Sequence, residues 1–170
     1  TVEDAQAAMV AARYPQVPGV ADCEPQGERG WWQRIAPRYW GLTPQEYYDA
    51  ADLWPLDPDG NILLMGIVEE PEGVKNIRDI LRDAKGIGAI WAGPGDMSVA
   101  MGHRGNAGHP EVQDNLLKIL AACKDAGVPC AVGATAAEVP TRLEQGFRII
   151  ITPPEKTTLG LAEGRRISGR

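Results

Sequence analysis

Two acidic residues stand where a parallel α/β protein does its chemistry. Glu69, in Ile67-Val68-Glu69-Glu70, follows directly on an apolar run, and Asp96, in Gly93-Pro94-Gly95-Asp96-Met97-Ser98, follows a second one. The C-terminal ends of parallel strands form the active face of such folds, so carboxylates at neighbouring strand ends can converge on one point. Two carboxylates plus water suit a hard, oxygen-liganded cation such as Mg²⁺ or Mn²⁺. Gly93 and Gly95 remove side chains, which lets an anionic group approach the backbone amides. A 2-oxo acid could place its carboxylate there while its keto oxygen reaches the cation, a Lewis acid for enolate chemistry. Gly93, Pro94, Gly95, Asp96 and Ser98 are therefore read as a substrate-binding segment, with Glu69 and Asp96 as metal ligands. The competing reading is structural: an acid after a strand is often a first-turn residue favoured by the helix dipole. Glu70 and Glu72 also compete with Glu69.

The elements that must position these residues alternate. Ile62 to Val68 is a continuous apolar run, expected to be one strand buried on both faces. A helix is expected over about 73–83, a strand over 88–92, and then a Gly-rich loop. A helix over 110–126 follows, with Val112, Leu116, Leu117, Ile119, Leu120 and Cys123 on its apolar side. A strand over 129–132, a helix from the capping box Thr135–Glu138 to about Gln145, a strand over 148–151 and a helix over about 156–165 complete four βα units. Alternation of this kind implies a parallel sheet with helices outside it, as in a doubly wound sheet or a (β/α)8 TIM barrel.

Residues 1–60 read differently. A helix runs from a Thr1 cap to about Arg13, and a short one from the capping box Thr43–Glu46 to about Ala51. The rest is rich in Pro, Gly and Trp, and a long irregular stretch in a compact domain is usually functional. Four strands make half a barrel, and the opening helix would need a preceding strand. The chain is therefore expected to be the C-terminal half of a longer barrel protein, with 1–60 as a lid or subunit contact and 61–170 carrying the metal site within one structural domain.

Composition narrows the options. Hydrophobic residues are 44% and charged residues 24%, ordinary for a globular protein, and the net charge is −6. This argues against nucleic-acid and anionic-membrane surfaces. No apolar run is long enough to span a bilayer. Cys23, Cys123 and Cys130 have neither CxxC spacing nor a disulfide framework, which reads as reduced thiols in a cytoplasmic protein. Trp31-Trp32-Gln33-Arg34 and Pro37-Arg38-Tyr39-Trp40 mix aromatics with cations, but without a basic run they suit an interface better than nucleic acid. Lys75, Lys118 and Lys124 fall on expected helices, away from the strand ends a Schiff-base lysine would want.

These segments resemble a family. Val68-Glu69-Glu70-Pro71-Glu72-Gly73-Val74-Lys75-Asn76, the Gly93–Ser98 segment and the run from Gly102 through Gly105-Asn106 to His109-Pro110-Glu111-Val112 resemble linked motifs of the HpcH/HpaI class II pyruvate aldolases. Arg13-Tyr14-Pro15 and Gly27-Glu28-Arg29-Gly30 resemble a further segment upstream. The resemblance implies a (β/α)8 barrel, an Mg²⁺- or Mn²⁺-dependent aldol reaction on a 2-oxo acid and an aldehyde, and a homo-oligomer, a hexamer of domain-swapped dimers. It implies metal ligands at Glu69 and Asp96, and the substrate carboxylate on the amides of Gly95 and Asp96.

Two departures matter. Ile67 stands where the family often has a Gln that contacts the oxo acid. The resemblance implies a catalytic His and Arg in an N-terminal half, which is expected to lie outside this sequence. His103 and His109 match no family base, and His109 reads as a helix-start residue. Arg29 is a candidate for reaching an anionic substrate, with a loop-fixing ion pair as the alternative. The rival functions are an oxaloacetate decarboxylase or acyl-CoA lyase with the same chemistry, and a non-catalytic half-barrel acting as a binding or assembly partner.

Overall fold

Alternating apolar runs and amphipathic segments build a parallel sheet with helices around it. The computed structural model describes residues 1–15, 25–31, 35–153 and 157–169; Cys23, the Trp32-Gln33-Arg34 stretch and the start of the last expected helix at Lys156 lie outside the described residues. In chain order the elements are α1 (Val2–Ala12), α2 (Ala36–Trp40), α3 (Pro44–Ala50), β1 (Leu53–Trp54), β2 (Ile62–Leu63), β3 (Met65–Val68), α4 (Pro71–Asp83), β4 (Ala89–Ala92), α5 (Pro94–Ala100), α6 (Pro110–Ala126), β5 (Cys130–Gly133), α7 (Val139–Gln145), β6 (Ile149–Ile151) and α8 (Thr157–Ser168). Strands β3-β4-β5-β6 form one sheet in that order, and β1-β2 a second, two-stranded one. Ile90 pairs with Cys130 and Val132 with Ile150, both in parallel register. The fold is thus mixed α/β with parallel sheets, and the four-stranded sheet is open.

The chain divides into two compact units, 1–66 with 79–88, and 67–78 with 89–170. The second holds the sheet core. Helix α6 buries Val112, Leu116, Ile119, Leu120 and Cys123 and packs on β4 and β5. Each such Leu or Ile contributes about 1.5–3 kcal/mol on burial. Pro110 opens the helix, and Gly127 closes it at φ 71°, its N–H donating to Cys123 O and Lys124 O. Leu117, expected on the apolar side, is 40% exposed. Cys123 and Cys130 are free and buried, and hydrogen bonding between them together with burial pushes the Cys130 thiol far up.

The apolar run 62–68 is not one strand. Ile62 and Leu63 pair with Leu53 and Trp54, whereas Met65–Val68 joins the larger sheet. Nor is it buried on both faces: Leu63 and Ile67 are about half exposed. The composition favours a strand, but a strand face is buried only where another layer covers it. The box residues at Thr135 do bond to Glu138, yet the regular helix starts only at Val139. Short elements α2, β1 and α5 arise in segments whose sequence reads as irregular.

In the first unit, an ion pair ties the Pro/Gly-rich segment to the chain around β1. Arg13 is almost fully buried; its Nε and Nη2 donate to the Asp52 carboxylate at 2.6 and 2.7 Å, and Nη1 donates to Pro25 O. Gly27 lies so close that a Cβ there would overlap the Arg13 carbonyl. Burial raises the Asp52 carboxyl, but the Arg13 hydrogen bonds, the Leu53 amide and the Arg13 charge outweigh it and leave it below its usual range. Asp52→Asn leaves a buried guanidinium without its counter-charge and is expected to cost about 3 kcal/mol in urea unfolding. Because the folded carboxyl is lowered, this stabilisation is complete above an unfolded Asp value of about 3.9 and fades as pH falls through the folded one. The gap between wild type and Asp52→Asn should therefore narrow in acid.

Candidate active site

Position 93 is built by the absence of a side chain. The Gly93 N–H donates to Val68 O at 3.0 Å, locking the end of β4 to the end of β3. A Cβ on Gly93 would lie 3.1 Å from Glu69 Cβ, 3.4 Å from its Oε2 and 3.4 Å from Ile67 Cγ2. Gly93 has ordinary extended dihedrals (φ −89°, ψ 99°), so glycine is needed here for space and not for conformation. The Glu69 carboxylate therefore lies along the end of β4. Glu70 and Glu72, its competitors in the sequence, are exposed, whereas Glu69 is half-buried. Ile67 shares the Glu69 face of β3 and puts an apolar group beside the carboxylate.

Helix α5 places Asp96. Pro94 occupies its first turn, Asp96 follows two residues on, and Met97 and Ser98 are the buried side that seats the helix. A Cβ on Gly95 would meet nothing within 4 Å, so the backbone there faces open space. First-turn amides of a helix have no intrahelical acceptor. Asp96 is exposed, and neither its carboxylate nor that of Glu69 has a hydrogen bond or ion pair among the described residues. Ser98 is fully buried, and its hydroxyl donates to Gly95 O at 2.6 Å. It fixes the Gly95 peptide from beneath.

Beside Pro94, at the C-terminal ends of β5 and β6, lies a cavity of about 350 Å³, lined by Gly133, Ala134, Thr135, Ile151 and Thr152. Gln113, Glu138 and Arg142 also form part of its wall. Arg142 is buried, with Nη2 donating to Gln113 Oε1 at 2.7 Å and Nη1 to Gln145 Oε1 at 3.1 Å. The Glu138 carboxyl is held below its usual range by the Thr135 amide and hydroxyl. Sequence reasoning missed Arg142. Its spacing of three from the apolar Val139 was the available signal, since that spacing puts both on one face of α7.

The remaining candidates go elsewhere. Arg29 belongs to the first unit, where its guanidinium lies 4.6 Å over the Tyr14 ring and Nη2 donates to Tyr47 Oη at 2.6 Å. Its buried Nη1 has no hydrogen-bond partner among the described residues. His109 caps the N-terminus of α6, its Nδ1 accepting from the Glu111 N–H. His103 lies beside it, its Nε2 3.0 Å from a Glu111 oxygen. Lys118 and Lys124 bond to Asn115 Oδ1 and Gln145 O on the helical layer, and Lys75 lies on α4.

A sequence model described as HpcH/HpaI aldolase/citrate lyase matches residues 2–150. The chain belongs to this family. Among curated relatives, a 5-keto-4-deoxy-D-glucarate aldolase of Citrobacter koseri is 33% identical over 132 residues, which is 78% of this chain and 44% of that protein. One from Salmonella arizonae matches over the same shares at 33% identity. The chain thus spans under half the length of these relatives. An HpcH/HpaI aldolase/citrate lyase family protein from Burkholderia cenocepacia superposes with a TM-score of 0.75 at 26% identity, covering 100% of this chain and 62% of the other. The HpcH/HpaI aldolase of Desulfitobacterium hafniense shares the fold, with a TM-score of 0.70 at 23% identity over 99% of this chain and 60% of the other. No described helix of this family member is long and apolar enough to cross a membrane.

Ser98→Ala should remove the hydroxyl's hydrogen bond to the Gly95 carbonyl beneath the loop. A loss of about 1–2 kcal/mol in denaturant unfolding is expected, with secondary structure unchanged by circular dichroism.

Proposed function

We propose that this chain carries the divalent-cation and 2-oxo-acid platform of a metal-dependent aldolase. The reaction class is making or breaking a carbon–carbon bond through a pyruvate-type enolate, with a 2-oxo acid and an aldehyde as substrates. The observation that carries the reading is the Glu69–Gly93 arrangement: a carboxylate without a protein partner among the described residues, lying in space kept free by a missing side chain. Glu69 and Asp96 are the groups that would hold the cation. Their all-carboxylate chemistry and the lack of a competing cation among the described residues suit Mg²⁺ or Mn²⁺. When bound, such an ion supplies Lewis-acid stabilisation of the negative charge that develops on the oxo-acid oxygen.

The chain's own residues do the binding and orienting. The amides of Gly95 and Asp96, over open space, receive the substrate carboxylate, and Pro94 and Gly93 shape the path to them. Ser98 acts by holding the Gly95 peptide. Ile67 gives the oxo-acid pocket an apolar wall where a hydrogen-bonding Gln is common in the family, which favours a substrate with an apolar group at that point. Arg142, a buried cation on the cavity wall, suits acidic substrates on the same face. Arg29 is assigned to anchoring its own loop through Tyr14 and Tyr47. The proton-transfer groups and the N-terminal half of a (β/α)8 barrel are assigned to the part of the relatives' length that the chain does not span, and a homo-oligomer, hexameric by family resemblance, supplies the assembly. The substrate named for the curated relatives, 5-keto-4-deoxy-D-glucarate, falls in the oxo-acid class proposed here.

Mn²⁺ binding by this chain, followed by electron paramagnetic resonance, tests the platform. Glu69→Gln and Asp96→Asn should each weaken it by about tenfold or more, while Glu70→Gln leaves it unchanged. Gly93→Ala should also weaken it, without loss of fold, because its Cβ displaces the Glu69 side chain. Wild-type affinity in both Glu69→Gln and Asp96→Asn would sink the ligand assignment. Assays with pyruvate plus short aldehydes, and with oxaloacetate alone, separate aldolase from decarboxylase.

A further inference from the structure

A second group of metal-ligating side chains lies outside the platform, in the segment that leads from α5 to α6. His103 Nε2 is 3.0 Å from Glu111 Oε2. The rings of His103 and His109 stack with centroids 3.5 Å apart and planes 16° from parallel. One ligand atom from each of His103, His109 and Glu111 lies within 4.8 Å of the other two.

The backbone brings them together. The segment folds tightly, with positive φ at Gly102 (82°), Arg104 (49°) and Gly105 (86°). The His103 N–H donates to Ser98 O, Asn106 N–H to His103 O, and His109 N–H to Asn106 O. Successive turns three residues apart thus place residue 109 against residue 103. Pro110 then starts α6, and Glu111, in its first turn, points back at His103.

We infer that His103, His109 and Glu111 form a binding site for a borderline divalent ion of the Zn²⁺ or Co²⁺ type. Two imidazoles and one carboxylate are a donor set that zinc accepts, with water in the fourth position. Zinc–ligand bonds of about 2.0–2.2 Å put tetrahedral ligand atoms about 3.4 Å apart. The 3.0 Å His103–Glu111 pair must therefore open slightly, and the wider separations, which reach at most 4.8 Å, must close. The stacked rings cannot both aim a lone pair at one point while parallel. A rotation about χ2 of one ring, a broad and soft torsion, opens the stack. Glu111 is mostly exposed, and His103 is 20% exposed, so an ion and its water can enter. The bound ion joins the α5–α6 segment to the first turn of α6.

Imidazole nitrogen selects against Mg²⁺, and carboxylate oxygen alone does not favour Zn²⁺. The two sites should therefore separate by metal, and the inference stands or falls independently of the aldolase platform. Co²⁺ is the probe, titrated into the full chain in excess Mg²⁺ and read by its visible ligand-field absorption. One equivalent is expected to bind, and to be retained in the Glu69→Gln, Asp96→Asn double variant. His103→Gln and Glu111→Gln should each weaken binding by about tenfold or more. His103 makes no capping bond, so His103→Gln should keep its circular dichroism spectrum. Added Zn²⁺ should displace Co²⁺ and raise the melting temperature of wild type but not of His103→Gln. Failure of Co²⁺ to bind in excess Mg²⁺, loss of binding in the double carboxylate variant, or unchanged binding in His103→Gln would overturn the assignment.

Discussion

The hydrogen bond from Gly93 N–H to Val68 O fixes the geometry on which the rest of the candidate site depends. It sets the register between the ends of β3 and β4, and so decides where residue 69 stands relative to residue 93. Parallel register alone would crowd that position, because any side chain at 93 would meet Glu69 and Ile67. Glycine resolves the crowding, and the carboxylate takes the space. The same residue ends the strand and precedes the proline that starts α5. One position therefore controls strand register, carboxylate placement and the direction in which the chain leaves the sheet.

What leaves the sheet is a seven-residue helix with few means of its own to stay in place. It has no side-chain cap, and helices this short are marginal in isolation. Burial of Met97 and Ser98 seats it, and the Ser98 hydroxyl bonds back to the Gly95 carbonyl. Its exposed face carries Gly95 and Asp96. This division is economical: polar satisfaction beneath the loop makes an open, unpaired surface above it tolerable. On the far side of α5 the chain turns through three residues with positive φ and delivers two histidines and a glutamate to one place.

The first unit shows a different solution to a different problem. Among its described residues, two arginines tie the Pro-, Gly- and Trp-rich part to the rest of the unit. Arg13 is buried and paired with Asp52, and Arg29 lies against Tyr14 and Tyr47, which pack with Ala51 in a small core. A guanidinium can satisfy several acceptors and still stack on rings, which suits a segment with few ladder hydrogen bonds.

The sequence by itself determined the alternation of elements, the extent of α6, the presence of a parallel sheet and the family. Periodicity, caps and turn residues act over a few positions, so one chain suffices to read them. It also singled out Glu69 and Asp96, because strand ends and glycines are local signals. Only the tertiary structure showed that Glu69 is half-buried beside Gly93 while Glu70 and Glu72 are exposed, since that depends on a neighbouring strand. Only it showed that the run from Ile62 to Val68 serves two sheets, that Ser98 is turned inward, that Arg142 lines a cavity, and that Arg29 is held by tyrosines. Each of these is set by contacts between residues far apart in the chain. No local pattern encodes which distant surface will cover a side chain.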